Sequence, residues 1–468
     1  MSNQPNQPDE PGGTAEVDVV VIGMGPGGED VAGRLAESGL TVVGVERELV
    51  GGECPYWACV PSKMMIRGAT LLAEARRADP YAGRTSVHPD LGPVARRIRA
   101  EATDDWDDTV AADRFEGKGG RLIRGSARLD GPGRVVVGDE TLVARRGVVV
   151  ATGSAPVVPD VEGLSGARYW TNREAISART APSSLVVLGG GAVGLELSQM
   201  FARYGSAVTV VEAGDTLLPA EEPETGEVIA AALREAGVTV RTGASAVSAA
   251  RPDGPQGDAE LHLADGTVVR AAELLVSVGR HARTGDIGLE TVGLEAGARA
   301  LAVDDRMRAG DRLWAVGDVT GVAAFTHIAM YQSDIAVRDI LDQGGPSADY
   351  RGLARVTFTD PEVGSVGLTE RAARDQGITV RTGTSQVASS ARGWIHGPGN
   401  AGFIKLVVDA DRDLLVGASS VGPWGGEVLA MLTLAVHARV PVATLRTMIY
   451  AYPTFHRGVL DALTDLGA

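Results

Sequence analysis

An α/β fold with a separate α+β region at its C-terminal end is predicted by three observations. The chain contains the same strand, glycine turn, helix and strand twice. Each copy ends in an acidic residue, and that acid follows the first glycine of its turn by 23 residues in both places. After the Gly-Gly-Pro break at 344–346 the pattern changes from alternating strand and helix to strands that read as antiparallel. Two equal offsets point to a repeated supersecondary unit.

In the first copy, residues 17–22 form a short apolar run and Gly23-Met24-Gly25-Pro26-Gly27-Gly28 follows. A helical stretch reaches Ser38, and a second apolar run over 40–45 ends at Glu46. A turn of this kind, with glycines at Gly23, Gly25 and Gly28, sets backbone N–H groups and a helix N-terminus against a pyrophosphate. An acid at the end of the next strand accepts hydrogen bonds from a ribose diol. A glycine pattern alone is weak evidence; the flanking strand, helix and spaced acid make it specific. The bland alternative is a plain tight turn with a solvated glutamate. In the second copy, residues 185–188 are the strand, Gly189, Gly191 and Gly194 the turn, 196–204 the helix, and 207–211 the strand that ends in Glu212. A 2′-phosphate beside Glu212 meets like charge, and the following Ala213-Gly214-Asp215 offers no cation. The expectation is NADH, with NADPH disfavoured.

The other segments follow the same logic. Residues 62–78 read as a helix, 128–150 as short strands with Gly/Pro turns, and 148–153 as a strand entering an Ala-Thr-Gly turn. Residues 313–318 are a strand ending in Gly-Asp, with a helix from about 326. Beyond the break, 356–358, 403–408 and 414–420 are expected as antiparallel strands, with helices at 427–438 and 442–449.

The chain has 468 residues, enough for two to four domains with ample core. A net charge of −16 repels nucleic acid and anionic membranes, so neither is expected as a partner. No apolar run approaches the roughly 20 residues that span a bilayer. Residues 1–16 are rich in Pro, Gln, Asn and Gly, with neither the basic start nor the apolar core of a signal peptide. They are expected to be a disordered tail, and the protein to be cytoplasmic.

Both cysteines lie in one segment, Gly51-Gly52-Glu53-Cys54-Pro55-Tyr56-Trp57-Ala58-Cys59-Val60-Pro61-Ser62-Lys63. Two thiols kept together suggest a redox-active pair rather than a secreted framework. A reactive dithiol needs its partners within bonding distance. Five residues of regular helix would set these side chains about 140° apart, so a distorted helix start is expected, and Pro55 suits one. A helix N-terminus nearby would stabilise a thiolate. The competing reading is a pair of buried structural cysteines; a zinc site would need further thiols or histidines.

These motifs resemble the class I pyridine nucleotide-disulfide oxidoreductases, the family of dihydrolipoamide dehydrogenase, glutathione and mycothione reductases and mercuric reductase. The resemblance runs from about Asp18 to the C-terminal end. It rests on the first glycine turn, Gly-Gly-x-Cys-(x)4-Cys-Val-Pro-Ser-Lys, Ala151-Thr152-Gly153, the second glycine turn, Gly317-Asp318, and Pro361-Glu362-Val363-Gly364-Ser365-Val366-Gly367-Leu368. It implies two Rossmann-like dinucleotide-binding domains plus a C-terminal α+β dimerisation domain. The expected order is an FAD-binding domain over 17–155, an NAD-binding domain over 156–280, a second part of the FAD-binding domain over 281–345, and the interface domain over 346–468. FAD is implied on Gly23, Gly25, Gly28, Glu46, Gly52, Ala151, Thr152, Gly153, Gly317 and Asp318. NADH is implied on Gly189, Gly191, Gly194, Glu212 and Gly279. Lys63 and Glu196 match an ion pair beside flavin N5, Cys59 the thiol against the flavin, and Cys54 the outer thiol that attacks substrate. Ala192 stands where some relatives place a tyrosine lid. A homodimer acting on a small-molecule substrate is implied, with no resident metal.

The chain departs from that pattern in two places. Between the cysteines it reads Pro-Tyr-Trp-Ala, where relatives usually carry an Asn and a Gly. Near its end Tyr452-Pro453-Thr454-Phe455-His456-Arg457 replaces His-Pro-Thr-x-x-Glu, so the acid–base histidine and its orienting carboxylate are both missing. A phenol with pKa near 10 is a poor base at neutral pH but can donate a proton. His456 substitutes only if the helix start shifts. The leading expectation is an FAD-dependent NAD(P)H oxidoreductase that uses Cys54 and Cys59 on a disulfide or thiol-reactive substrate. Two alternatives stay open. One is an NADH:acceptor reductase or oxidase working on quinones, metals or a small metabolite directly at the flavin. The other is a redox-sensing flavoprotein. Mercuric reductase proper is disfavoured because the chain has no further cysteine pair.

Overall fold

In a computed structural model of the chain, residues 13–467 are described, and the chain divides into two compact units. The first takes in residues 13–61, 97–157 and 280–348. The second takes in residues 62–96, 158–279 and 349–467.

The first unit is built on the strand Thr14–Ile22. It pairs in parallel with Val42–Glu46 on one side and Glu140–Val150 on the other. Arg121–Arg124 and Leu313–Ala315 extend the parallel sheet outward on the two sides. Both faces of a parallel sheet are covered, so the central strand is a valine run rather than an alternation. Val19 and Val21 pack on one face with Val31 and Leu35 of the helix Pro26–Glu37 and with Ile335 and Ile340 of the helix Thr326–Ile340. Val20 and Ile22 pack on the other with Leu129 and Val135 of an antiparallel ribbon. The expected tail needs correcting at its end: Thr14, Ala15 and Glu16 already pair with Thr141, Leu142 and Val143, because the long partner strand offers them free backbone groups. Residues 1–12 of that tail lie outside the described residues.

The second unit holds the repeat. Ser184–Leu188 lies in a parallel sheet between Ala207–Val211 and Glu273–Val276, with Thr239–Arg241 beyond. Its helix begins at Ala192, four residues ahead of the expected start, and runs to Arg203. A five-stranded antiparallel sheet has the order Ala354–Thr357, Glu362–Gly367, Leu414–Gly422, Phe403–Asp409, Val380–Gln386. The second and fifth of these were not expected as strands: their glycines, threonines and serines give no apolar run. Helices Gly425–His437 and Gly458–Asp465 cover the sheet through Leu429, Leu432, Val459 and Leu463. The helix expected over 442–449 stops at Thr447 and leaves Ile449 almost wholly exposed. Among the described residues, no helix is long and apolar enough to cross a membrane.

Every residue of Phe403–Asp409 is buried, including Lys405. Its ammonium is held by Glu222 at 3.0 Å, Glu224 at 2.8 Å and Glu370 at 3.1 Å. Burial alone would pull its pKa down, but hydrogen bonds to the three carboxylates outweigh that and raise it. A raised lysine contributes stability below its unfolded value of about 10.4, and the contribution is lost as pH rises through the folded value. Lys405→Met should therefore destabilise the chain by about 3–5 kcal/mol at neutral pH, since it strands the buried carboxylate of Glu222. Denaturant titrations across pH should show the gap to wild type narrowing above about pH 10.

Candidate active site

Cys54 sits in a single-turn helix, Glu53–Tyr56. That helix ends at Trp57, whose φ of −130° leaves the helical range, and a new helix, Cys59–Arg77, begins at the second cysteine. The break brings together two positions that continuous helix would hold on different faces. Both cysteines are half-buried thiols, not joined in a disulfide. A hydrogen bond with Cys59 pushes the Cys54 thiol far above its ordinary pKa; burial adds to the rise, and the Thr326 hydroxyl works against it. Thr326 Oγ1 also lies 3.5 Å from Cys59 Sγ. Thr326 is the first residue of its own helix, so two helices begin at the dithiol, as expected of a site that tolerates an anionic sulfur.

The first glycine turn ends at Gly25, which starts the helix Pro26–Glu37 without any side-chain cap. A Cβ on Gly28 would lie 2.0 Å from the Gly23 carbonyl oxygen, so only glycine fits there. A Cβ on Gly25 would meet nothing within 4 Å, so the uncapped helix end lies open to approach. Unsatisfied N–H groups with open space before them fit the pyrophosphate of a dinucleotide. Glu46, buried at the end of its strand, accepts from Met24 N–H at 2.7 Å and Glu48 N–H at 2.8 Å. It thereby pins the turn, and its remaining lone pairs suit a ribose diol.

The second unit repeats this device. Gly191 starts Ala192–Arg203 uncapped and open, and a Cβ on Gly194 would lie 2.5 Å from the Gly189 carbonyl oxygen. Glu212 accepts from Gly190 N–H at 2.6 Å and Gly214 N–H at 2.7 Å. Gly279 follows the strand Glu273–Val276, again with open space beside it. The residues present fit a dinucleotide in each unit.

Around the first turn the other expected residues converge. A Cβ on Gly23 would strike the Ala151 carbonyl oxygen, and one on Gly52 would lie 2.8 Å from Gly25 Cα. Thr152 donates to the Arg283 carbonyl at 2.7 Å, and Gly153 leads into Ser154. Gly317 N–H donates to Gln332, and Asp318 accepts the Ser154 hydroxyl at 2.5 Å. Arg280 donates in turn to Ser154 Oγ at 2.7 Å and to its carbonyl at 3.0 Å. The same guanidinium lies 3.7 Å from Glu53, the residue before Cys54.

In the second unit Lys63 Nζ is 2.7 Å from Glu196, whose side chain is buried. The second Glu196 oxygen accepts Phe358 N–H at 2.8 Å, and the ammonium lies 4.7 Å from the Phe358 ring centroid. Tyr452 is 70% exposed, with the Arg457 guanidinium 5.6 Å from its ring and Arg457 paired to Asp461. His456 bonds its own neighbour Thr454 at 3.4 Å and packs near Tyr450.

Sequence reasoning missed Thr326, Ser154, Arg280 and Phe358. Ser154 and Arg280 adjoin motifs that were recognised, Ala-Thr-Gly and Gly279, and adjacency was a usable signal. A threonine at a helix start and a backbone N–H at 358 carry none.

Residues 17–333 match the model of the pyridine nucleotide-disulphide oxidoreductases, and residues 353–463 match that family's dimerisation domain. The chain is 35% identical over 466 residues to the dihydrolipoyl dehydrogenase of Thermus scotoductus, covering 96% of this chain and 97% of the relative. It is 34% identical over 453 residues to the mercuric reductase of Streptomyces lividans, covering 93% of each. Among solved structures, the HOCl-induced flavoprotein disulfide reductase RclA of Escherichia coli superposes with a TM-score of 0.83 at 26% identity, over 96% of this chain and 99% of that one. Near-complete coverage by such relatives accords with the dithiol and the paired glycine turns: the chain belongs to the pyridine nucleotide-disulphide oxidoreductases, FAD-dependent enzymes that use NAD(P)H, and carries their dimerisation domain at its C-terminal end.

Proposed function

We propose that the protein is an NADH-dependent reductase of a small disulfide or thiol-reactive molecule, working through Cys54 and Cys59 as a cytoplasmic homodimer. The observation that carries this reading is the hydrogen-bonded thiol pair at a helix break, where two helices begin. When bound, FAD supplies two-electron transfer from reduced nicotinamide to a disulfide. The resemblance assigns its pyrophosphate to the turn at Gly23, Gly25 and Gly28, its ribose to Glu46, and its ribityl chain to Asp318. Gly52, Ala151, Thr152, Gly153 and Gly317 would shape the same cradle. The second turn, with Glu212 and Gly279, takes the nicotinamide cofactor. Lys63 and Glu196 form the ion pair assigned to flavin N5; the buried Glu196 fixes the ammonium in place.

The thiols divide the remaining chemistry. The hydrogen bond with Cys59 and burial hold the proton on Cys54, and the resemblance gives the charge of the reduced pair to Cys59. Attack by the Cys54 sulfur on a substrate disulfide forms a mixed disulfide and releases one thiolate. The proton leaving Cys54 passes to Cys59 and on to that thiolate. The Cys59 sulfur then attacks Cys54, closing the enzyme disulfide and releasing the second product as a thiolate, which takes its proton from solvent. The pair supplies its own base, which suits a chain with Tyr452 where relatives carry histidine.

Cys54→Ser should lower disulfide turnover by at least about 100-fold, in the range of lost nucleophilic or acid–base catalysis. NADH titration of the wild type should give a long-wavelength absorption band. Full activity in the variant or no band in the wild type would sink the reading. Glu212 meets a 2′-phosphate with like charge, so kcat/KM should favour NADH over NADPH by at least about tenfold, and Glu212→Gln should narrow the gap.

A second reading rests on the exposed Tyr452 with Arg457 beside it, where relatives carry a histidine and a carboxylate. It makes the protein an NADH:acceptor reductase working at the flavin. Activity toward quinones or metal ions that survives loss of both cysteines would favour it. Tyr452→His alone should raise disulfide turnover by much less than the roughly 100-fold that a complete acid–base pair supplies.

A further inference from the structure

Within Pro55-Tyr56-Trp57-Ala58, the stretch between the cysteines that departs from the family pattern, Tyr56 and Trp57 are gripped by a distant stretch of the same unit. Trp57 is where the helix breaks. Its indole stacks on Trp106 with centroids 5.0 Å apart and planes 20° from parallel. The Trp106 indole N–H donates at 3.2 Å to the Tyr56 carbonyl, one of those that the short helix leaves without an intrahelical partner. The Arg99 guanidinium lies 4.6 Å from the Trp106 ring centroid and 3.3 Å from Asp105. Trp106 reaches this position through three successive residues with left-handed backbone, Asp104 at φ 47°, Asp105 at 52° and Trp106 at 63°. L residues adopt that conformation at a cost, and a run of three persists only where surrounding contacts hold it. Two residues on, Asp108 accepts Val50 N–H at 2.6 Å, tying down the other side of the cysteine segment.

We infer that Trp106 is a positioning residue for the dithiol: by capping Tyr56 and stacking on Trp57 it holds the helix break that keeps Cys54 and Cys59 within bonding reach. The inference rests on the dithiol reading above. A regular helix through 54–59 would separate the sulfurs, so whatever stabilises the break favours the disulfide over the dithiol. Releasing the clamp gives the reduced segment more conformations and shifts the equilibrium toward dithiol.

The test uses the FAD-loaded protein, equilibrated without oxygen in mixtures of reduced and oxidised glutathione, alkylated, and read by mass spectrometry at 54 and 59. The reaction oxidises the two thiols to one disulfide and reduces oxidised glutathione to two thiols. Trp106→Ala should shift this constant toward dithiol by about three- to tenfold, the scale of one aromatic pair; tenfold is about 30 mV for a two-electron couple. Trp106→Phe keeps a ring but loses the N–H, and should fall between wild type and Trp106→Ala. A wild-type constant in Trp106→Ala protein that keeps its flavin and melting temperature overturns the inference. If Trp106→Ala does not fold, Trp106→Phe decides: a shift of about twofold or more toward dithiol supports the clamp, and none overturns it. A wild type that forms no 54–59 disulfide at any ratio overturns the underlying dithiol reading instead.

Discussion

The interruption of helix at Trp57 is the constraint on which the chemistry of this protein depends. Cys54 lies within one helical turn and Cys59 begins the next helix, and only the break between them lets two sulfurs five residues apart share a proton. The break also places the start of Cys59–Arg77 at the pair, while Thr326 brings a second helix start to the same sulfurs. Helix N-termini carry partial positive charge, so the local field supports a negative sulfur. The raised pKa of Cys54 and the site's tolerance of an anion are two aspects of one arrangement: one thiol donates and the other accepts.

The glycine turns show how economically the fold repeats itself. In each unit a carboxylate at the end of a strand reaches back to an N–H of the turn, through Met24 in one and Gly190 in the other. The acid therefore does more than wait for a ribose. It sets the turn's shape before any cofactor arrives, which is preorganisation in a concrete form. The uncapped starts at Gly25 and Gly191 follow from the same logic, since a capping side chain would occupy the space a phosphate needs.

The parallel sheets, the two turns and the cysteine pair were legible in the chain because each is written in local signals: valine runs, glycine spacing and one short motif. The 14–16 extension of the first strand was hidden because it depends on a partner strand more than a hundred residues away. The strands Glu362–Gly367 and Val380–Gln386 were hidden because their burial comes from neighbours and not from their own composition. Within the site, Lys63 and Glu196 were readable from motif positions, whereas Thr326 and Phe358 act through a hydroxyl and a backbone N–H with no sequence signature. The departures proved informative too. Trp57 lies in the stretch between the cysteines that departs from the family pattern, and its partner, Trp106, lies outside every motif.

The account requires that electrons entering as hydride end up on two particular sulfurs. The direct measurement is a count of alkylatable thiols by mass spectrometry, before and after one equivalent of NADH is added without oxygen to the oxidised, FAD-loaded protein. The account predicts two new alkylation sites, at Cys54 and Cys59, with the flavin returned to its oxidised state. A flavin that stays reduced while no thiol appears at either position would contradict it.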